Sequence, residues 1–300
     1  MAKNRFDQAA RLTVKQDAPG FLGWALSLAP ADFTFVGWLD TRHVPFPGET
    51  ERTGDSVARL KRPGGTAPPW VLAVEFQTEP DPLIFGRLMV YQGLLWQAVK
   101  PDEERGSRFE IGSLVVNLTG SVSAARRMEW PEAELLTVLK PRERNLENEN
   151  ADELLKQIEA GTHSRWLLPW IPLMTGGDDA DIIERWKLAA EGETDFHRRN
   201  NMGLLARVFA EVVDRKPIWD KALERWNVRE STLLNELFAE RDLAVTLANV
   251  IAVLEVRLGK VPADLEAEVR AATNLADAKG WFTLALKATD FATFRNSAGL

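Results

Sequence analysis

The chain has no cysteine in 300 residues. That excludes disulfides, thiolate zinc sites, iron–sulfur clusters and a cysteine nucleophile, and it accords with a reducing compartment. Histidine is scarce too. His43, His163 and His197 lie far apart with no H-x-x-x-H spacing, which argues against a zinc enzyme. No stretch approaches the roughly 18 uncharged apolar residues of a membrane span. The opening "MAKNRFDQAARLTVKQD" lacks the apolar run of a signal peptide. The expectation is a cytoplasmic protein with no membrane partner. Phosphate loops are missing as well: "KRPGGTAPP" does not have G-x-x-x-x-G-K-[ST] spacing, and "LMTGGDDAD" lacks the strand–helix context of a dinucleotide fingerprint. There is no G-x-S-x-G elbow.

What is present is a globular composition, 45% hydrophobic and 27% charged, with eleven Trp against one Tyr. The net charge of −7 argues against non-specific coating of nucleic acid, because phosphate contacts need Lys and Arg. The charge is uneven. Residues 1–125 hold 13 basic and 14 acidic side chains, so −6 of the −7 falls on the remainder. "ARLKRP" at Ala58 to Pro63 is the best local basic candidate.

Periodicity divides the chain in two. "FDQAARLTVKQDAPGFLGWALSL" has helical spacing broken near Ala18-Pro19-Gly20. "FTFVGWLDTRHVPF" and "DSVARLKRP" read as extended segments, and "WVLAVEFQTEP" as a strand. "PLIFGRLMVYQGLLWQAV" reads as a helix with proline at its start, and "FEIGSLVVNLTG" as a second apolar strand. The expected fold is α/β: a mixed central sheet flanked by helices, followed by a mainly helical C-terminal region. The boundaries are a core over 1–125, a connecting segment over 126–178 and helices over 179–300. "PRERNLENENADELLKQIEAG" reads as a surface segment before a helix, and "HSRWLLPWIPLMTGGDD" as a loop or broken helix. In the long helix near the end, Leu234, Leu237, Phe238, Val245, Leu247, Val250, Ile251, Leu254 and Leu258 form a stripe wide enough for a core or a homodimer seam.

The chemistry-bearing pattern is in "WVLAVEFQTEP". A period of two puts Glu75 and Gln77 on one face of an otherwise apolar strand. Asp55 in "TGDSVARL" precedes them by 20 residues. If the two strands pair, Asp55 and Glu75 can converge with the Phe76 backbone carbonyl between them, a hard-oxygen set suited to Mg²⁺. A bound ion of this kind activates water and stabilises charge on an attacked phosphate. The plainer alternative makes Glu75 a strand-end residue and Asp55 a surface residue. D…E-x-Q alone is a loose pattern.

The surrounding text narrows it. Asp55, then "EFQTEPDPLIFGRLMVY", resembles the PD-(D/E)xK nuclease superfamily, and within it the bacterial recombination-promoting nuclease and putative transposase group. The matching positions are Glu75, Gln77, Thr78, Asp81, Arg87, Leu88 and Tyr91, with Thr78 where serine is usual. The N-terminal helix and the C-terminal "VLEVRLGKVPADLE…NLADAKGWFTLALKATDFATF" are also similar to that group. The resemblance implies a restriction-endonuclease-like core, with Asp55 and Glu75 as metal ligands together with the Phe76 carbonyl. Gln77 stands in place of the superfamily lysine. It further implies Mg²⁺ or Mn²⁺ as cofactor, DNA as partner, and a link to recombination or mobile DNA. Glutamine can hydrogen-bond but brings no charge and is no general base. A conditional endonuclease therefore stands beside a catalytically silent nuclease fold used for DNA binding or protein interaction. Arg87 and Tyr91 share a helix face; Arg87 either contacts a phosphate or pairs with an acidic neighbour. Tyr91 either hydrogen-bonds near the site or packs under the sheet. Asp81 is expected to cap the helix start, while Asp7 and Asp17 are further acidic candidates.

Overall fold

In the computed structural model the described residues are 5–39, 56–64, 68–79, 81–101, 108–121, 123–224, 226, 232–272 and 274–300. The chain divides into two compact units, one over Ala9–Val228 and the other joining Met1–Gln8 to Arg229–Leu300.

The first unit begins with most of α1 (Arg5–Gln16) and with α2 (Ala18–Leu26). The break between these helices falls at Asp17, one residue ahead of the Ala18-Pro19-Gly20 expected from sequence. Asp17 accepts a hydrogen bond from Gly20 N–H (3.0 Å) and so caps α2, while Pro19 occupies the first turn, where no donor is lost. A Cβ at position 20 would run into the Asp17 carboxylate and the Ser164 side chain, so glycine suits this position.

β1 (Thr34–Trp38), β2 (Val57–Lys61), β3 (Trp70–Gln77), β4 (Glu110–Asn117) and β7 (Arg142–Asn145) form one sheet in the order β1-β2-β3-β4-β7. The first three strands run antiparallel, and β3, β4 and β7 are mutually parallel. The connection from β3 to β4 carries α3 (Ile84–Ala98), as parallel strands need a crossover. The connection from β4 to β7 is made by a separate two-stranded ribbon, β5 (Arg126–Trp130) and β6 (Leu135–Leu139). Sequence had shown none of these last three strands. The protein is an α/β protein with this mixed five-stranded sheet, followed by a mainly helical region.

Alternation along β3 divides the core. Phe76 points to one face, where its ring lies 6.1 Å from Phe21 of α2 and stacks at 6.0 Å on Trp170. Trp170 in turn stacks at 4.7 Å on Phe209 of α6 (Phe196–Val212). Trp170 belongs to a 3-10 helix, Arg165–Leu173, whose residues from Trp166 onward are all buried. Two prolines made that segment read as a loop or broken helix. Instead it is a core element, with its Leu168 carbonyl bonded by Trp186 Nε1 (2.7 Å) and its Pro172 carbonyl by Arg215 (2.8 Å). On the opposite face, Val71 and Ala73 pack with Leu95 and Val99 under α3.

The remaining helices of this unit are α4 (Ala151–Glu159), α5 (Ala180–Glu191) and α7 (Lys216–Ala222). In the second unit α8 (Thr232–Leu258) is followed by α9 (Ala263–Arg270), α10 (Leu275–Ala285) and α11 (Phe291–Ala298). Three short helices end the chain where sequence suggested two. Of the long stripe, Leu247, Val250, Ile251 and Leu254 are buried with residues of α9, α10 and α11, which is core packing. The side chains of Leu234, Leu237, Phe238 and Val245 lie outside the described residues. No helix among the described residues is long and apolar enough to cross a membrane.

Candidate functional site

Glu75 and Gln77 lie at the C-terminal end of β3 on the α3 side, and both are buried. The chain then turns through Asp81 into α3. Asp81 accepts a hydrogen bond from Leu83 N–H (2.8 Å) and so fixes the turn ahead of α3, but the N-cap position is Leu83 and no side chain caps the helix, so Asp81 is not the cap that sequence suggested. Gln77 Oε1 accepts from Asp81 N–H (3.2 Å), which ties the strand end to that turn.

Arg87, in the first turn of α3, faces back onto the strand. Its Nη2 donates to Glu75 Oε1, and its Nη1 donates to Asp81 Oδ2 at 2.6 Å. The guanidinium also lies 6.0 Å from the Tyr91 ring centroid, one helical turn on. Burial alone would lower the Arg87 pKa. The Glu75 carboxylate and the hydrogen bonds to Asp81 and Tyr91 outweigh it and raise the value, so Arg87 is a fixed cation. Of the two sequence readings, the acidic pairing of Arg87 is the one seen here, and Tyr91 both packs in the α3 cluster and bonds Arg87.

Two site neighbours escaped the sequence reading. Gln77 lies opposite Asn117 of β4, and Asn117 opposite Asn145 of β7, so three amide side chains stand in a row at the ends of three parallel strands. Asn117 Nδ2 donates to Asn145 Oδ1 (2.6 Å). Gln77 Nε2 and Asn117 Oδ1 are buried with no protein partner, a donor and an acceptor beside the ion pair. The signal for Asn117 was in the text: it ends an apolar strand just as Gln77 does. Asn145 gave none, since its strand is four polar residues long.

Asp55 lies outside the described residues. Asp17 is engaged elsewhere: it caps α2 and accepts from Ser164 Oγ, in the layer on the Phe76 face of the sheet. Asp7 lies in the first turn of α1. Glu143, two strands from Glu75 in register, holds Ser123 Oγ and the Ala124 and Ala125 N–H groups with one oxygen. Among the described residues no three His, Asp or Glu side chains form a metal-binding group. Glu75 has the hard oxygen chemistry of an Mg²⁺ ligand, but its carboxylate is held by Arg87, and the described residues alone do not complete such a site.

No family model, curated protein or solved structure matches this chain. The functional reading therefore rests on the arrangement at the end of β3.

Proposed function

We propose that the protein is a metal-dependent DNA endonuclease linked to recombination or mobile DNA, with Glu75 and Asp55 as its metal ligands beside the Phe76 carbonyl. One observation carries the proposal: Glu75, Gln77, Asp81, Arg87 and Tyr91, dispersed over positions 75–91, meet at one strand end and one helix entry. The pairing of β2 with β3 supports the Asp55 assignment. Val74 N–H donates to the Ser56 carbonyl (2.8 Å), and Asp55 is the residue covalently next to Ser56.

A bound Mg²⁺ or Mn²⁺ would supply water activation and charge stabilisation at phosphorus. The protein's own groups would position the reactants. Gln77 Nε2, without a protein partner, is a free donor for a water or a phosphate oxygen. Arg87 would exchange part of its carboxylate contact for phosphate, which guanidinium binds with two parallel donors.

A specific observation favours a second reading. Arg87 already neutralises Glu75, which suits a silent nuclease fold that binds DNA or a protein partner without cleavage. The deciding assay is nicking of supercoiled plasmid with Mg²⁺, Mn²⁺, Ca²⁺ or EDTA, beside Glu75→Ala. Metal-dependent nicking that the variant lacks supports the endonuclease. Equal nicking by both removes Glu75 from the site. Salt-dependent DNA binding by folded protein without cleavage moves the assignment to the silent module.

A further inference from the structure

The outer side of α3 is unlike that of an ordinary surface helix. Arg87 is the only charged residue in its 15 positions, and it turns inward to Glu75. A helix with so few polar residues is normally buried over most of its surface. Here Ile84, Leu88 and Leu95 cover the sheet, yet Met89, Val90 and Trp96 stand open, as does Leu83 just before the helix.

Six of the open residues are arranged symmetrically, with Pro82, Gln97 and Ala98 open beyond them. Leu83, Gly86, Met89, Val90, Gly93 and Trp96 are placed evenly about a midpoint between Met89 and Val90. An antiparallel copy of the helix would set Leu83 against Trp96, Gly86 against Gly93 and Met89 against Val90. Both glycines have open space where a Cβ would point. Each costs the isolated helix about 1 kcal/mol relative to alanine, and each lets a facing backbone approach closely.

We propose that α3 is the seam of an isologous homodimer, its axis passing between Met89 and Val90. Leu83, Met89, Val90 and Trp96 are 72, 41, 42 and 52% open. At about 200 Å² for a fully open large side chain, they present roughly 400 Å² of apolar surface per copy. The β5–β6 ribbon meets α3 on its sheet-facing side. One of its faces begins against α3, where Leu139 packs with Ile84 and Leu88 and Arg126 lies 5.6 Å from the Phe85 ring. By register the same face carries Met128, Trp130 and Leu135, all exposed. The helix face alone is about half of the ~800 Å² per partner of a standard interface, the size of a weak, reversible dimer. The helix supplies no cation to this face, and the one beside it, Arg108, is stacked on Trp96 at 5.2 Å. The seam is independent of the proposed activity.

Sedimentation equilibrium of the full chain up to about 100 μM tests it. A dimer is expected, and Val90→Lys, which puts two ammonium groups at the axis, is expected to weaken it at least about tenfold. Gly86→Ala with Gly93→Ala should have opposite effects on fold and assembly: a higher melting temperature for the monomer and a weaker dimer. Because the chain has no cysteine, a Val90→Cys variant carries a single thiol. It should oxidise to a linked dimer, while Leu188→Cys on exposed α5 surface should not. A wild type that stays monomeric overturns the proposal. So does a dimer that withstands Val90→Lys and leaves Val90→Cys unlinked. If Val90→Lys fails to fold, the glycine pair and the cross-link decide.

Discussion

Removing the Arg87 guanidinium would leave two carboxylates facing the same vacated volume. Glu75 is 8% open, and the Arg87 and Asp81 side chains are 29% and 27% open. Taking one partner from a fully buried pair costs about 3–5 kcal/mol, because the remaining charge has lost its counter-ion and cannot recover its water. Partial exposure reduces that here, so we expect about 2–3 kcal/mol for Arg87→Met at neutral pH. In a unit of this size the loss corresponds to a fall in Tm of about 5–10 °C. Urea unfolding followed by tryptophan fluorescence measures it, with an unchanged m value required for the comparison. Glu75→Gln in the Arg87→Met background should restore part of the loss, a coupling of about 1–3 kcal/mol. Mg²⁺ titrated into Arg87→Met provides a further arm. An ion held by Glu75 and Asp81 in place of the guanidinium adds about 1.4 kcal/mol at a tenfold excess over its Kd. An Arg87→Met loss below about 0.5 kcal/mol, the level of ordinary surface substitutions, would refute the reasoning. Strict additivity in the double variant would do the same.

Four other outcomes are expected. Trp170→Ala empties the space between Phe76 and Phe209 and should cost about 3–5 kcal/mol in denaturant unfolding; a loss under about 1 kcal/mol would show that the stack is not structural. Asn150 accepts from Asp152 N–H (2.9 Å) and Glu153 N–H (3.1 Å) at the start of α4, so Asn150→Ala should lose about 1 kcal/mol while Asn150→Asp retains most of it. Glu134, between β5 and β6, has φ +55 in the left-handed region, and Glu134→Gly should relieve about 1 kcal/mol of local strain, seen as slower amide exchange along the ribbon. Hydrogen bonds from Lys156 and Arg185 hold the Asp152 carboxyl below its ordinary 3.8. Its contribution is therefore present above that pH and lost as pH falls through the depressed value, so the stability difference between wild type and Asp152→Asn should shrink on acidification below pH 3.8.

Where periodicity was strong, sequence placed the elements well. The apolar run from Trp70, with polar residues only at Glu75 and Gln77 on one face, gave β3, and the spacing from Pro82 to Val99 gave α3. The strands of the connecting segment were hidden for different reasons. β5 is exposed at every position, so no buried face imposes a pattern on it. β7 has no buried position, and its arginines instead reach across to α2. Arg144 donates to the Trp24 carbonyl and Arg142 to the Ala25 carbonyl, at the C-terminal end of α2 where cations are favoured. A hydropathy reading sees only a charged linker there. At the site, Glu75, Gln77, Asp81, Arg87 and Tyr91 were legible as a phrase. That Arg87 would clasp both carboxylates depends on how α3 folds back onto the end of β3, and the row Gln77, Asn117, Asn145 depends on register between strands 28 to 40 residues apart.

β3 is in effect two interleaved messages in one stretch of eight residues. Its odd-numbered positions end in Glu75 and Gln77, and its even-numbered positions end in the ring that meets Trp170. Selection can rewrite one set without disturbing the other, so the chemistry on the α3 side is free to drift while the hydrophobic side keeps the fold. The same interleaving makes the strand intolerant of length change. Inserting or deleting one residue before Glu75 would exchange the two messages, burying a carboxylate among aromatic rings and turning Phe76 toward Arg87. Natural variation in this strand should therefore consist of replacements and not of gaps.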